Sequence, residues 1–203
     1  MLRRRFLAAG ALLAGAPLWA ADRALWQRLR DGGHVLLIRH AATDPGIGDP
    51  PGFRLAACST QRNLSEQGKR DARAIGASLR RRGIPLGPVL SSRWCRCLDT
   101  ARLAFGRVEL APMLDSMFRD SMPAADAKRR AVLARVGVFG NAGSKTNLVL
   151  VTHDVNIRSL VNELVAPGGI VVARPGPDRL DVLGRLPVDF QPAGCQARAA
   201  ALC

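Results

Sequence analysis

The chain contains no tyrosine, and only six phenylalanines and three tryptophans among its 203 residues. Without an aromatic ladder for bases to stack on, single-stranded nucleic-acid binding is not favoured, and no nucleic-acid partner is expected. Histidine is scarcer still: His34, His40 and His153 are all there are, so chemistry that needs imidazole must draw on these three. Long apolar runs are also missing. A membrane-spanning helix takes roughly 18 or more apolar residues, and the stretch Phe6 to Leu18, built from Ala, Leu and Gly, is shorter and is followed by polar sequence.

What is present reads as one globular domain behind a leader. A composition of 48% hydrophobic and 23% charged residues suits a folded chain rather than a disordered one, and the length suits a single domain with a real core. Residues 1–20 have the form of an export signal. Arg3-Arg4-Arg5 is a basic start, an apolar stretch follows, and Leu18-Trp19-Ala20 before Ala21-Asp22 supplies a small-residue cleavage site. Arg3-Arg4-Arg5-Phe6-Leu7 is also similar to the twin-arginine signal, which exports a chain already folded. The expected product is a single domain over 21–203, periplasmic or secreted, with no stable membrane insertion after processing.

The formal charge of +14 should draw the protein towards phosphates and other polyanions. The cations are scattered, however. Arg80-Arg81-Arg82 and Lys128-Arg129-Arg130 read as exposed helix ends, a solvated basic surface rather than a dedicated patch. Five cysteines follow the leader: Cys58, Cys95, Cys97, Cys195 and Cys203. In an oxidising compartment one or two disulfides are expected, with one thiol left over. Cys58 with Cys95 or Cys97 would tie a long loop to a helix start, and Cys195 with Cys203 could clip the tail; the connectivity stays open. Cys95-Arg96-Cys97 has the wrong spacing for a zinc knuckle, with no histidine beside it, so no metal and no cofactor is expected.

Along the chain, Asp22 to Arg30 reads as a short helix. Val35 to Ile38 is an unalternating apolar run, the mark of a strand covered on both faces. A Gly- and Pro-rich loop from Ala41 to Asn63 is long for a connection and should cover a site. Ser65 can cap a helix whose apolar positions Ala72, Ile75, Gly76 and Leu79 fall on one face. A strand over Pro88–Ser91, a helix over Arg93–Phe105, a brief strand near Val108–Leu110 and a helix from Ala124 to Val136 come next. Gly137 to Thr146 reads as a loop and Leu148 to Val151 as a second unalternating strand. A helix then carries Ile157, Leu160, Val161, Leu164 and Val165, and strands at Ile170–Ala173 and Leu180–Leu186 close the domain. Strands alternating with helices predict a three-layer α/β/α sandwich with a largely parallel sheet. Ligands of such sheets bind beyond the carboxyl ends of the strands, where Arg39-His40, Ser91-Ser92 and His153-Asp154 all fall.

Those residues suit phosphoryl chemistry. Arginine meets phosphoryl oxygens with planar, bidentate donors that stay charged. A neutral imidazole can attack phosphorus and hold it, and an acid must protonate the leaving alkoxide. The motifs Leu37-Ile38-Arg39-His40-Ala41, Leu64-Ser65-Glu66-Gln67-Gly68, Ser91-Ser92-Arg93-Trp94-Cys95-Arg96-Cys97-Leu98-Asp99-Thr100-Ala101 and Val151-Thr152-His153-Asp154, in this order, resemble the histidine phosphatase superfamily, which includes phosphoglycerate mutases and many phosphatases. The resemblance runs from about Val35 to Val165. It implies the phosphoglycerate mutase-like fold, His40 as the histidine that becomes phosphorylated, Arg39 and Arg96 as phosphate-binding arginines, and His153 as the second pocket histidine. Arg93 and Arg102 lie off the motif.

Two positions depart from the family pattern. Ala41 replaces the usual glycine after the first histidine. Mutase-like members carry a glutamate where Leu114-Asp115-Ser116 places serine. Acid-phosphatase members use the aspartate after the second histidine, so the resemblance implies Asp154 as proton donor, with Asp115 and Glu109 in reserve. His34, Thr43 and Trp94 read as structural. The function implied is that of an exported, metal-independent phosphomonoester hydrolase, its partner a small phosphorylated substrate. Exported relatives that act on lipopolysaccharide-core sugars suggest an envelope sugar phosphate. The alternatives are a phosphoglycerate mutase-type phosphotransferase, disfavoured by the missing glutamate, and a non-catalytic binder of phosphorylated envelope components.

Overall fold

The four residues Val35 to Ile38 are fully buried because both faces of their strand are covered. The computed structural model describes residues 18–186, with side chains from Asp22 onward; most of the leader, Cys195 and Cys203 lie outside the described residues. The chain runs α1 (Leu18–Asp31), β1 (Val35–Arg39), α2 (Glu66–Arg81), β2 (Leu86–Ser91), α3 (Cys95–Phe105), β3 (Glu109–Leu110), α4 (Met122–Asn141), β4 (Asn147–Thr152), α5 (Asp154–Val161), β5 (Ile170–Pro175) and β6 (Leu180–Leu186), with 3-10 turns at Cys58–Thr60 and Pro112–Leu114.

The sheet order is β3-β2-β4-β1-β5-β6. The first four strands are parallel, and β5 and β6 extend the sheet through antiparallel pairings. Alternate side chains of each strand enter opposite cores. Leu36 and Ile38 join Leu29, Ile75, Leu79 and Ala101 from α1, α2 and α3. Val35 and Leu37 join Val132, Val136, Phe139 and Ile157 from α4 and α5. This is the expected three-layer sandwich.

Two helix C-termini differ from the sequence reading by four or more residues. The region 137–146 is not all loop, because α4 runs to Asn141. Phe139 is buried and anchors the last turn. Gly140 is there for proximity rather than as a breaker, since a Cβ on it would lie 2.7 Å from Pro175 Cβ. Conversely, the final helix ends at Val161, with Asn162 in the left-handed conformation (φ 55°) as its cap, a geometry asparagine tolerates. Leu164 is therefore exposed, and Val165 turns its carbonyl towards β1. Lys128 is also misread as part of an exposed helix end: it sits early in α4 and pairs with Asp120 at 2.7 Å.

Helix α2 is placed by its start. The Ser65 hydroxyl accepts from the Gly68 N–H at 3.1 Å, and a Cβ at Gly68 would stand 1.8 Å from the Ala42 carbonyl oxygen. No side chain fits there, so the glycine of the Leu-Ser-Glu-Gln-Gly motif lets the helix abut the chain just past His40.

The bridge is Cys58–Cys95, with Cα atoms 5.6 Å apart; Cys97 is a buried thiol. The bond ties the 41–63 loop to the first residue of α3. Replacing both partners by serine should lower the unfolding free energy by about 2–4 kcal/mol, seen as a lower urea midpoint at constant slope. An unmoved midpoint would show that the link contributes nothing to stability.

Candidate active site

Three adjacent parallel strands deliver the site. Arg39 at the end of β1 is registered against Thr152 at the end of β4, and the Ser92 N–H donates to Val151 O beside them at 3.0 Å. The next residues along, His40, His153 and Ser92, therefore meet at one rim. The two imidazoles stand edge to face, with ring centroids 5.4 Å apart, and both are buried. Arg96 comes from the first turn of α3. Thr100, one turn later, locks that helix to β1: its hydroxyl accepts from the Ala41 N–H at 3.0 Å and donates to Arg96 O at 2.7 Å.

His40 keeps one ring nitrogen free. Its Nδ1 lies 2.9 Å from the Ala41 carbonyl. A carbonyl can only accept, so Nδ1 carries the hydrogen and Nε2 keeps the lone pair. Burial pushes the His40 pKa down to about 3; the Ala41 contact opposes the shift, while Arg96, Arg39 and Arg62 add to it. The ring is neutral at pH 7. Burial, then His40 and Arg96, also hold His153 well below its ordinary value. Its Nδ1 faces Arg96 Nη2 at 3.5 Å and its Nε2 lies 3.0 Å from Ser92 Oγ. Ser92 in turn donates to Asp115 at 3.3 Å.

These shifts fix the sign of a pH effect. An unfolded histidine takes a proton near pH 6.5, whereas folded His40 does so only near 3. Between those values the unfolded chain binds more protons, so the stabilisation is complete above pH 6.5 and declines as the pH falls towards 3. Urea midpoints measured from pH 7 to 4 should drop, and His40→Gln should flatten that slope. An equal slope in the variant would assign the drop to other groups.

The cationic side of the site is larger than the motifs indicate. Arg62, which precedes the Leu-Ser-Glu-Gln-Gly motif, reaches the same cavity as Arg39, His40, Arg96, His153 and Asp154. Among the described residues, the Nε atoms of Arg39, Arg62 and Arg96 are buried with no hydrogen-bond partner. Buried donors are normally satisfied, so the three arginines that share the cavity with His40 form a cradle with unmet donor capacity. Asp49, from the Gly/Pro-rich loop, holds this cradle in place. Its carboxylate accepts from Arg96 Nη1 at 2.8 Å, from the Arg62 N–H at 3.1 Å and from Trp94 Nε1 at 2.9 Å. Burial opposes its ionisation, but those donors outweigh burial and keep it below the usual carboxylate range. Neither Asp49 nor Arg62 is singled out by the sequence motifs. An acid in a Gly/Pro loop, and an arginine shortly before the helix motif, are the available signals.

The three proton-donor candidates separate by position. Asp154 lies at the start of α5, with its carboxylate 3.5 Å from Arg39 Nη2 and 41% exposed, and it lines the cavity. Asp115 is buried and engaged on both oxygens: Arg93 donates to Oδ2 through Nε and Nη2 at 2.8 and 2.5 Å, and through its backbone N–H to Oδ1 at 2.8 Å. It positions Ser92 and Arg93 rather than facing a leaving group. Glu109 is exposed on β3 at the sheet edge. Arg93, left off the motif, is thus part of the site's frame. Cys97 Sγ lies 3.5 Å from His153 Nε2, and burial pushes its thiol up to about 12, so it packs as an inert neighbour. Among the described residues no group of three or more His, Cys, Asp or Glu could hold a metal ion, and no helix is long and apolar enough to cross a membrane.

Residues 35–122 match the family model of the histidine phosphatase superfamily, branch 1. Over that stretch the chain is similar to the histidine phosphatase superfamily. Solved structures of superfamily proteins share its fold. Phosphoserine phosphatase from Entamoeba histolytica, in complex with 3-phosphoglyceric acid, superposes with a TM-score of 0.58 at 13% identity, over 77% of this chain and 98% of that one. Alpha-ribazole phosphatase from Shigella flexneri gives 0.55 at 16% identity, over 77% and 96%. The protein histidine phosphatase SixA, complexed with tungstate, gives 0.55 at 15% identity, over 75% and 96%. No curated protein sequence matches the chain.

Proposed function

We propose that the protein is a member of the histidine phosphatase superfamily, a phosphomonoester hydrolase that works through a phosphohistidine on His40 and needs no metal ion. The observation that carries this reading is the cradle: three unpartnered, buried guanidinium Nε atoms around an imidazole whose free nitrogen stays neutral. The guanidinium groups supply the positive charge that a transferring phosphoryl group requires. In the first step the Nε2 lone pair of His40 bonds to phosphorus as the ester P–O bond breaks, and Asp154 gives its proton to the departing alkoxide. In the second step water attacks the phosphohistidine, Asp154 takes up a proton from it, the N–P bond breaks, and inorganic phosphate leaves. Arg39, Arg62 and Arg96 hold the phosphoryl oxygens through both steps, and His153, with Nε2 on Ser92 and Nδ1 facing Arg96, orients Arg96 beside them. Ser116 stands where a mutase would need its glutamate, which weighs against transfer to a second substrate hydroxyl.

Export is part of the proposal. It is supported by the form of residues 1–20, and by a disulfide that an oxidising compartment would preserve. Substrates would then be phosphomonoesters of the cell envelope. The test is a rapid-quench reaction in EDTA with a radiolabelled phosphomonoester. The wild type should give a protein-bound label stable in alkali and lost in acid, and the His40→Ala variant should give none. Turnover in EDTA without any such label would overturn the covalent scheme.

A further inference from the structure

The cavity that contains the cradle has a total volume of about 770 Å³. That lies within the range of about 300–1,000 Å³ typical of sites for whole small molecules, so the site accommodates a leaving group of substantial size. Beside its charged groups, the lining carries a set of apolar side chains. On one side stands the loop, with Ile47 at 94% exposure and Phe53 packed on Trp94 at 5.9 Å between ring centroids. The same cavity is lined by Met113 and Phe118, the latter 62% exposed, with Ala127 and Ala131 of α4. Large apolar side chains left in solvent around one opening mark a binding surface.

The polar groups of the outer cavity are already committed to one another. Arg93 is paired with Asp115 and Lys128 with Asp120, and the Trp94 indole N–H is taken by Asp49. Arg119 alone among these cations makes no ion pair among the described residues. Ser116 is the one neutral hydroxyl in the lining, which contains no Asn, Gln, Thr or Tyr. A sugar entering here would bring hydroxyls that lose water and find few partners. A hydrocarbon would lose nothing and bury apolar surface.

We propose that the natural substrate is an amphiphilic phosphomonoester whose alcohol is a flexible apolar chain, its phosphate in the cradle and its chain between Ile47 and Phe118. This rests on the phosphatase reading above and names the substrate class for that site. It also departs from the envelope sugar suggested by sequence.

Ethyl phosphate, n-octyl phosphate and glucose 6-phosphate all release primary alkoxides, so their chemistry is matched and only the leaving group's body differs. With the full-length protein, kcat/KM for octyl phosphate should exceed that for each of the others by at least about tenfold, the gain expected from burying only two or three methylenes. The double variant Ile47→Ser/Phe118→Ser should bring octyl phosphate to within about threefold of ethyl phosphate, both measured on that variant. Glucose 6-phosphate matching or exceeding octyl phosphate, with His40-dependent turnover intact, would overturn the substrate class and spare the phosphatase reading. An octyl preference that survives the double substitution would overturn the assigned wall. No hydrolysis of these esters or of p-nitrophenyl phosphate would overturn the phosphatase reading itself, and the inference with it.

Discussion

Replacing His40 by alanine should lower kcat/KM for p-nitrophenyl phosphate by at least about a thousandfold, the scale seen when a covalent nucleophile is removed. The arrangement leaves no substitute. Cys97 is the nearest thiol, yet it is fully enclosed and its pKa is pushed up to about 12. His153 has one nitrogen against Ser92 and the other against Arg96, so neither is free to attack. The cradle itself would survive, because Arg96 is held by Asp49 and Arg39 by the Val165 carbonyl at 2.8 Å. The alanine variant should therefore still bind inorganic phosphate in a calorimetric titration. Loss of turnover with phosphate binding retained identifies the nucleophile. A loss below tenfold would mean that some other group attacks phosphorus.

Replacing Arg96 by alanine should cost about 10²–10³-fold in kcat, the usual effect of deleting a preorganised donor to a charged transition state. Its guanidinium is the junction of the site. Nη1 is fixed by Asp49, Nη2 reaches the His153 ring, and Nε is unpartnered and buried. Lysine should restore little, because one ammonium cannot hold the Asp49 carboxylate and face a phosphoryl oxygen in the same fork geometry. Phosphate affinity should fall together with kcat, unlike in the His40 variant. Full rescue by Arg96→Lys would show that only the charge matters and that the fork does not.

Much of this is legible in the sequence for a physical reason. The unalternating runs Val35–Ile38 and Leu148–Val151 cannot sit on a half-exposed sheet, so they identify buried parallel strands, and the residues just beyond each run land at the rim. Ser65 and the apolar spacing of Ala72, Ile75 and Leu79 likewise locate α2. The differences have physical causes as well. The end of the last helix is set by Asn162 entering a left-handed conformation, which periodicity does not register. Gly140 falls in a stretch that the sequence reads as loop, when it is part of α4 and the space it leaves for Pro175 is its role in the fold. Asp49 and Arg62 belong to a loop without period, and their function comes from where a disulfide and a β-bridge between Thr43 and Leu64 fold that loop. The choice between Cys95 and Cys97 needs three-dimensional proximity, because both sit in the first turn of one helix.

The Cys58–Cys95 bond also makes a closed covalent ring of the segment between them. That ring contains all of α2 and β2, along with Arg62. At the far end of α2, the Arg80-Arg81-Arg82 run reaches the surface at Arg81, near exposed Gly83. A tryptic cut there would sever the backbone without releasing a fragment, since both halves stay joined through sulfur. The nicked protein should migrate as one species until a reductant is added, and only then part into two.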